Sequence, residues 1–558
     1  MRNRRFYFTC ALLNGALWSL AWPAIGGITP LVFIAWVPLL LAEERYANSD
    51  PAARPRNFMP YVFLAVALWN ACTTWWLYCV SESFGTKLFT AIGPNIGNDL
   101  LMCIPWALMR AVRKQWGGRV ARGSLVFFWI AFERFHMHWD LSWPWLTLGN
   151  VFAEHPMWVQ WYEITGALGG SIWIWAANMA SLRLMIQPVA SDRSLAIISP
   201  RGTWVAAIIA VPIIASSIRY ATFREEGVPT EVVVVQPDID PYTEKFGGID
   251  PLDQLDNMLA QADSAVTPTT ALVVMPETAL QEPYALGFES GQVALYGLWE
   301  NDLGASKSVA HIRSFLAKHP GLTLITGMSS AYLYPTGAQL PVSARLLEGI
   351  DRGMEGYNAA LMVRPDGSTE PYHKSKLVPG VEELPFEKWL GPISALALDM
   401  GGTTGSLGTQ EEREVMTSGG LHLAPVICYE SIYGDHVAAH VRNGATLLII
   451  MTNDAWWSDS PAYRQHLAYG RLRAIETRRD VARSANTGIS CFIDQRGDTH
   501  DTTTWWTPAV RRATLRARSD LTFFTRHGDY IGLGAEVGSV ALILVLLIAA
   551  VVKRFTRG

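Results

Sequence analysis

The sequence predicts a protein of two parts: a multi-pass α-helical membrane domain of about eight spans and an extramembrane α/β domain of layered strands and helices. Three observations carry this. Half of the 558 residues are apolar, 23 Trp among them, yet the middle third is normally polar. Apolar blocks of about 18 to 25 residues, the length a helix needs to cross a hydrocarbon core of about 30 Å, recur through the first 220 or so positions. From about 230 to 525 the pattern changes to short β-branched runs separated by polar helical stretches. The expected boundaries are 1–225 for a membrane domain with seven spans, 226–528 for the extramembrane domain, and 529–558 for a last span.

The seven blocks lie near 6–23, 26–42, 60–81, 89–110, 124–138, 157–187 and 203–218. The second half of the fifth is interrupted by Glu133, Arg134, His136, His138 and Asp140. An eighth, VGSVALILVLLIAAVV at 537–552, runs almost unbroken into Lys553 and Arg554. The first block is expected to be a retained span, because no small-residue cleavage site precedes the spans that follow. Basic residues are shared unevenly among the loops. Arg2, Arg4 and Arg5 precede span one, and Arg45, Arg54 and Arg56 lie between two and three. Arg110, Arg113, Lys114, Arg119 and Arg122 lie between four and five, and Arg183, Arg193 and Arg201 between six and seven. The alternate loops nearly lack them, so the positive-inside rule puts both termini in the cytoplasm and the α/β domain on the far side.

Within that domain the expected strands are EVVVVQ (231–236), ALVVMPE (271–277), LTLITG (322–327), YNAALMV (357–363), LHLAPVICYE (421–430) and TLLIIMTND (446–454). Helices are expected over 251–265, near 307–318 and over 462–479. Several strands are continuous apolar runs, which calls for cover on both faces. No repeat, low-complexity tract or phosphate-cradling glycine loop stands out, and a net charge of −4 gives no reason to expect nucleic acid.

The chemistry centres on 421–430, where an apolar strand stops at Cys428 and is followed at once by Tyr429 and Glu430. Sheet backbone fixes such a thiol while the adjoining turn leaves it open to substrate. A lone Cys is more often inert packing. Two further strand ends change the reading: Glu277 follows ALVVMP, and Lys374 and Lys376 stand in PYHKSKLVPGVEELP. A carboxylate takes the proton from a thiol, a nearby ammonium stabilises thiolate and oxyanion, and the thiolate attacks a carbonyl carbon. Together these are the parts of an acyl-transfer site.

In the contexts MPET, YHKSKLVP and ICYE these residues resemble the nitrilase, or carbon–nitrogen hydrolase, superfamily, which implies a four-layer α-β-β-α sandwich. With seven spans before it and one after, nearly the whole chain resembles the bacterial apolipoprotein N-acyltransferase family. Tyr357-Asn358, Lys374 to Pro385 and TNDAWWSDSP at 452–461 add to the likeness, and SWPWLTLGN at 142–150 resembles a segment of the family at the membrane surface. The resemblance implies that Glu277 is the general base, Lys374 the oxyanion-stabilising lysine and Cys428 the nucleophile. Glu382 matches a second, supporting glutamate, and Asn358, Tyr429 and Glu430 are further supporting positions. Where the family reads Pro-Phe-Gly-Glu, this chain has Pro379-Gly380-Val381-Glu382-Glu383, which makes Glu383 a rival; Glu382 is kept on its spacing from Lys374. Lys376 stands where the family commonly has His. The implied reaction passes a fatty acyl chain from a phospholipid, through a Cys thioester, to the α-amino group of the diacylglyceryl cysteine of an apolipoprotein. It takes place at the bacterial inner membrane and requires no cofactor or metal.

Water competes with the amine for a thioester, so transfer needs a dry site with the amine held in place. Trp456 and Trp457, and the aromatic stretch Tyr284 to Trp299, are candidate lids, with ordinary packing the other reading. In ERFHMHWD (133–140) the two His are read as interfacial anchors, with a metal site the alternative. Of the six Cys, only Cys428 and Cys491 fall in the outer domain, and both are expected to stay free. Two rival functions remain at this level. A membrane-bound amidase would need only one or two anchoring spans. A non-catalytic transporter or receptor would more often carry paired ionisable residues inside its spans.

Overall fold

The computed structural model describes residues 2–79, 84–186, 200–245, 248–288, 291–347, 352–386 and 406–556. Arg193 and positions 289–290 of the Tyr284–Trp299 stretch lie outside them. The chain divides into two units: Met1–Cys79, Lys87–Phe223 and Asp529–Gly558 form one, and Val80–Thr86 with Arg224–Gly528 form the other.

The first unit is helical: α1 (Arg2–Ala21), α2 (Val37–Asn48), α3 (Met59–Thr73), α4 (Phe84–Phe135), α5 (Ala167–Ile186), α6 (Pro200–Thr222) and a C-terminal helix (Tyr530–Phe555). Its elements depart from the apolar blocks where the backbone cannot stay α-helical. The block at 26–42 becomes a 3-10 turn, Thr29–Phe33, followed by α2, because Pro30 and Pro38 each lack an amide proton and each opens a new element. The blocks at 89–110 and 124–138 are the two helical parts of α4, which is broken between them at Gly117 with φ 78° and ψ 177°. That left-handed break is open to glycine without a Cβ clash. The block at 157–187 begins in a 3-10 turn and a single α-helical turn, Tyr162–Thr165, before the 20 residues of α5. Among the described residues α6 and the C-terminal helix are by themselves long and apolar enough to cross a membrane.

Tryptophan fills the core of this unit. Trp36 is fully buried, stacks on Trp175 at 5.2 Å, and meets Trp129 edge-on at 4.9 Å. Its amide donates to Asn178 Oδ1 at 2.9 Å, which holds the turn before α2 against α5. His136 bonds Asn98 through Nε2 at 2.9 Å, and Trp139 donates to its Nδ1 at 2.8 Å, so both ring nitrogens are engaged by protein.

The second unit holds two sheets. The first has the order β16 (Ala509–Ala517), β1 (Val228–Gln236), β2 (Thr270–Val274), β6 (Thr323–Leu333), β8 (Gly353–Val363), β7 (Arg345–Leu346), with β5 (Leu298–Trp299) on β6 and β9 (Thr369–His373) on β8. The second has the order β10 (Met416–Ser418), β11 (Leu421–Ile427), β12 (Leu447–Thr452), β13 (Val481–Ala485), β14 (Cys491–Ile493), β15 (Thr499–His500). A separate hairpin pairs β3 (Pro283–Phe288) with β4 (Gly291–Tyr296). In each sheet the central three strands, β1-β2-β6 and β11-β12-β13, are parallel.

The continuous apolar runs follow from burial on both faces. Alternate residues of β1 divide cleanly: Val232 and Val234 face the second sheet, where they join Leu423, Ile449 and Met451, whereas Val233 and Val235 pack under helices. Those helices are α7 (Pro251–Asp263) and α8 (Lys307–Leu316). The outer face of the second sheet, with Val426, Leu448 and Ile450, is covered by α9 (Gly434–Arg442) and α10 (Pro461–Thr477). The result is helix, sheet, sheet, helix. Three of the four covering helices start at a side chain that caps them. Asp250 accepts from Leu252 N before Pro251 opens α7, Ser306 accepts from Val309 N for α8, and Ser460 accepts from Ala462 N before Pro461 opens α10.

Candidate active site

Parallel strands deliver the polar residues to one end of the sandwich, since side chains just past the carboxyl ends of such strands share one edge. Glu277 follows β2, Cys428 follows β11, and Thr452 to Asp454 close β12. Lys374 arrives from the other side. It follows β9, and its amide extends the ladder by donating to the Asn358 carbonyl of β8 at 2.9 Å.

Glu277 and Lys374 join Glu382 and Asn358 in one buried cluster. Lys374 Nζ donates to Glu277 Oε1 at 3.0 Å and to Glu382 Oε1 at 2.9 Å, with only 1% of its side chain exposed. Asn358 Nδ2 bridges the same two oxygens, at 2.8 Å to Glu277 and 2.7 Å to Glu382. The remaining oxygens are also held: Asn453 N donates to Glu277 Oε2 at 3.0 Å, and Val378 N to Glu382 Oε2 at 2.8 Å. Burial pulls the Lys374 ammonium down, but the Glu277 and Glu382 carboxylates outweigh it and hold the group well above the ordinary lysine range. Lys374 is therefore a fixed cation. At Glu383 the backbone carbonyl accepts from Gly380 N at 2.7 Å in the turn that presents Glu382. Lys376 points elsewhere, with Nζ 5.0 Å from the Tyr433 ring centroid.

Cys428 is buried and adopts φ +49°, a left-handed conformation that costs a non-glycine residue roughly 1–2 kcal/mol. Burial and the Glu277 carboxylate push its thiol well above the ordinary cysteine range, while the Lys374 ammonium and the Thr452 hydroxyl pull the other way. The thiol rests protonated, beside a carboxylate and a cation.

Glu430 pins the turn in place. Its carboxylate accepts from Ile427 N at 2.8 Å and from Ser375 N at 2.7 Å, and so ties the residue before the cysteine to the residue after the lysine. Burial opposes its ionisation, but His436 and those two amides outweigh it and hold the carboxyl at about 2. Tyr429 is buried and packs edge-on against Tyr433 at 5.3 Å. Trp456 and Trp457 are half-buried: Trp456 meets Tyr242 edge-on at 5.4 Å, and Trp457 lies 6.2 Å from the His466 ring.

Several residues of the site escape sequence reasoning. Lys245 is buried against the base, its Nζ 2.6 Å from Thr278 Oγ1 and 3.3 Å from the Glu277 carbonyl, and burial brings it down to about 8. Gly327 of β6 lets the Glu277 turn approach, for a Cβ there would stand 2.6 Å from Glu277 Cα. The glycine interrupting an apolar strand is the one signal that marked this spot. Asp454, His466 and Arg483 form a fully buried ionic chain behind Cys428. Its members lie on three elements, and no local pattern links them.

The carbon-nitrogen hydrolase family matches residues 234–520, and the apolipoprotein N-acyltransferase N-terminal domain matches residues 14–180. The apolipoprotein N-acyltransferase of Chlorobaculum tepidum is 30% identical over 94% of this chain and 93% of its own length. That of Geobacter metallireducens is 26% identical over 97% and 95%. Among solved structures, an amidase from Nesterenkonia sp. AN1 covers 55% of this chain and 99% of its own at 15% identity, with a TM-score of 0.35, too slight a likeness to add to the assignment. The match in sequence over nearly the whole chain, spanning both the helical unit and the sandwich, shows that the chain belongs to the apolipoprotein N-acyltransferase family, with a carbon–nitrogen hydrolase domain over residues 234–520.

Proposed function

We propose that Cys428 is the nucleophile of this acyltransferase, Glu277 its general base and Lys374 its oxyanion-stabilising cation, with Glu382 and Asn358 holding base and cation in register. As a member of its family the chain N-acylates lipoproteins with a lipid as acyl donor. The observation that carries the finer reading is the closed cluster of Glu277, Asn358, Lys374 and Glu382 together with the buried Cys428 at the end of β11.

In this reading the donor is a phospholipid. As the Cys428 sulfur attacks the ester carbonyl, its proton passes to Glu277 and the developing oxyanion is stabilised by Lys374. The C–O bond breaks, the lysophospholipid oxygen takes the proton back from Glu277, and a thioester remains. The α-amino group of an N-terminal diacylglyceryl cysteine then attacks the thioester, gives a proton to Glu277, and releases the thiolate, which recovers that proton. Glu430 and Tyr429 keep the cysteine turn rigid, while Trp456 and Trp457 shelter the thioester from water. The domain limits are 1–225, 226–528 and 529–558. Eight spans in the bacterial inner membrane leave both termini cytoplasmic and the sandwich periplasmic; the loop charges support that orientation.

Mass spectrometry of the purified protein mixed with phospholipid tests the chemistry: an acyl adduct on Cys428, released only when an N-terminal diacylglyceryl peptide is added, is expected. Release by water alone would instead favour an amidase. A membrane-impermeant thiol label is expected to reach a cysteine placed at Ser368 from the periplasm, and one placed at Gly117 only after the inner membrane is opened. The reverse pattern overturns the orientation.

A further inference from the structure

The Cys428 turn is strained, and what holds it there is not the ion cluster in front of it. Two groups grip the Cys428 carbonyl from behind. The Ser431 hydroxyl donates to it at 2.7 Å, and His466 Nε2 lies 2.9 Å from that hydroxyl and 3.0 Å from that carbonyl. The ring cannot turn away, because its Nδ1 faces Asp454 Oδ1 at 2.9 Å, and a carboxylate can only accept, so Nδ1 is the donor there; a carbonyl too can only accept, so the hold on Cys428 is made by the ring carrying a proton on Nε2 as well. Asp454 is fixed in turn by Thr452 Oγ1, which donates to Oδ1 at 2.8 Å, and by Arg483 Nη2 on Oδ2. Asp454, His466 and Arg483 are all fully buried.

We propose that Asp454 and His466 are positioning residues of the acyl-transfer reaction, a buried pair that locks the Cys428 backbone in its left-handed turn and so aims the sulfur at the acyl carbonyl. Left-handed non-glycine residues persist only where their surroundings over-determine them. Here Glu430 fixes the backbone before the turn, and one short stretch, the end of β12, supports the Cys428 carbonyl behind it. Thr452 and Asp454 support the nucleophile through His466, and between them Asn453 N holds Glu277 Oε2. The end of β12 thus sets the spacing between nucleophile and base. A displacement of about 1 Å at such a site lowers the rate about 10²-fold.

The pair rests on Cys428 being the nucleophile, and the experiment keeps the two readings apart. In the full-length protein in lipid nanodiscs, His466→Asn retains an amide where Nδ1 meets Asp454 but does not reach the Cys428 carbonyl, whereas His466→Gln places an amide where Nε2 lies. Single-turnover acylation of Cys428 by phospholipid is measured for both and for wild type, as rate and as half-saturating lipid. His466→Asn is expected to lose about 10²-fold in rate with unchanged half-saturation, and His466→Gln to recover most of it. Thermal midpoints should be similar in the two variants. Equal rates in His466→Asn and His466→Gln, at whatever level, overturn the positioning role. If instead wild type forms no adduct on Cys428, or Cys428→Ala still forms one, it is the nucleophile assignment that fails.

Discussion

Replacing Lys374 by methionine tests the cluster most directly, because the unbranched stem is kept to within one atom while the terminal ammonium, with its charge and donors, is lost. In the native site two carboxylate oxygens lie 3.0 and 2.9 Å from the same nitrogen. They are therefore less than about 6 Å apart, and without the cation Asn358 Nδ2 alone stands between two buried like charges. Removing one partner of a buried ion pair costs about 3–5 kcal/mol. The transition state loses as well: a missing oxyanion donor is worth about 2.7–4 kcal/mol, or 10²–10³ in rate. Lys374→Met should accordingly unfold at markedly lower temperature and form the Cys428 thioester about 10²–10³ times more slowly, followed by intact-protein mass spectrometry in single-turnover mixing. Lys376→Met is the matched control. It gives up a cation–π contact worth about 0.5–1 kcal/mol on Tyr433 and leaves the ion cluster whole, so acylation should change little. A Lys376→Met protein that cannot acylate, beside a Lys374→Met protein that can, would refute the assignment of the cation and the placement of Glu382 with it.

Three further expectations follow from the same geometry. Cys428→Ala should remain folded and form no thioester, and Cys428→Ser should retain little activity because a hydroxyl is far less acidic than a thiol; a turnover assay with a fluorescent phospholipid decides both. Glu382→Gln loses a charge-assisted bond to Lys374 worth about 1.5–3 kcal/mol and should slow acylation about 10- to 100-fold, whereas Glu383→Gln should acylate as wild type does. Equal losses in the two would show that the turn from Pro379 does not discriminate them. For Glu430, a folded value of about 2 against an ordinary 4.5 corresponds to roughly 3 kcal/mol of stability. Because the folded value is depressed, that contribution is complete above about pH 4.5 and is lost as pH falls toward 2. Chemical denaturation of wild type and Glu430→Gln should show a difference at pH 7 that shrinks with acidification; a constant difference would place the role of Glu430 in packing rather than charge.

Much of the sandwich is legible in the chain because its signals are local. β-branched runs such as EVVVVQ form strands, and their unbroken apolar character reports cover on both faces. Asp250, Ser306 and Ser460 announce the starts of covering helices within one turn of sequence. The helical unit was less legible. Apolar length alone does not reveal that Pro30 and Pro38 divide one block into two elements, or that a left-handed Gly117 marks the break between two others. Hydropathy measures solvent preference, whereas backbone continuity depends on a missing amide proton or a left-handed φ at one residue.

By itself the sequence determined the strand ends at which Glu277, Lys374 and Cys428 stand, and the family to which their contexts belong. An apolar run that stops at a polar residue states its own position. Only the tertiary structure decided which neighbour each of them meets. Glu382, not the adjacent Glu383, reaches Lys374, because Val378 N captures its second oxygen and turns it inward. His466 reaches the Cys428 carbonyl from a helix 38 residues away in sequence. Strand and helix periodicity is set by bonds between near neighbours, whereas a buried charge is positioned by whatever opposite charge and donors the fold brings within about 3 Å of it, and that distance is a property of the packed sheets alone.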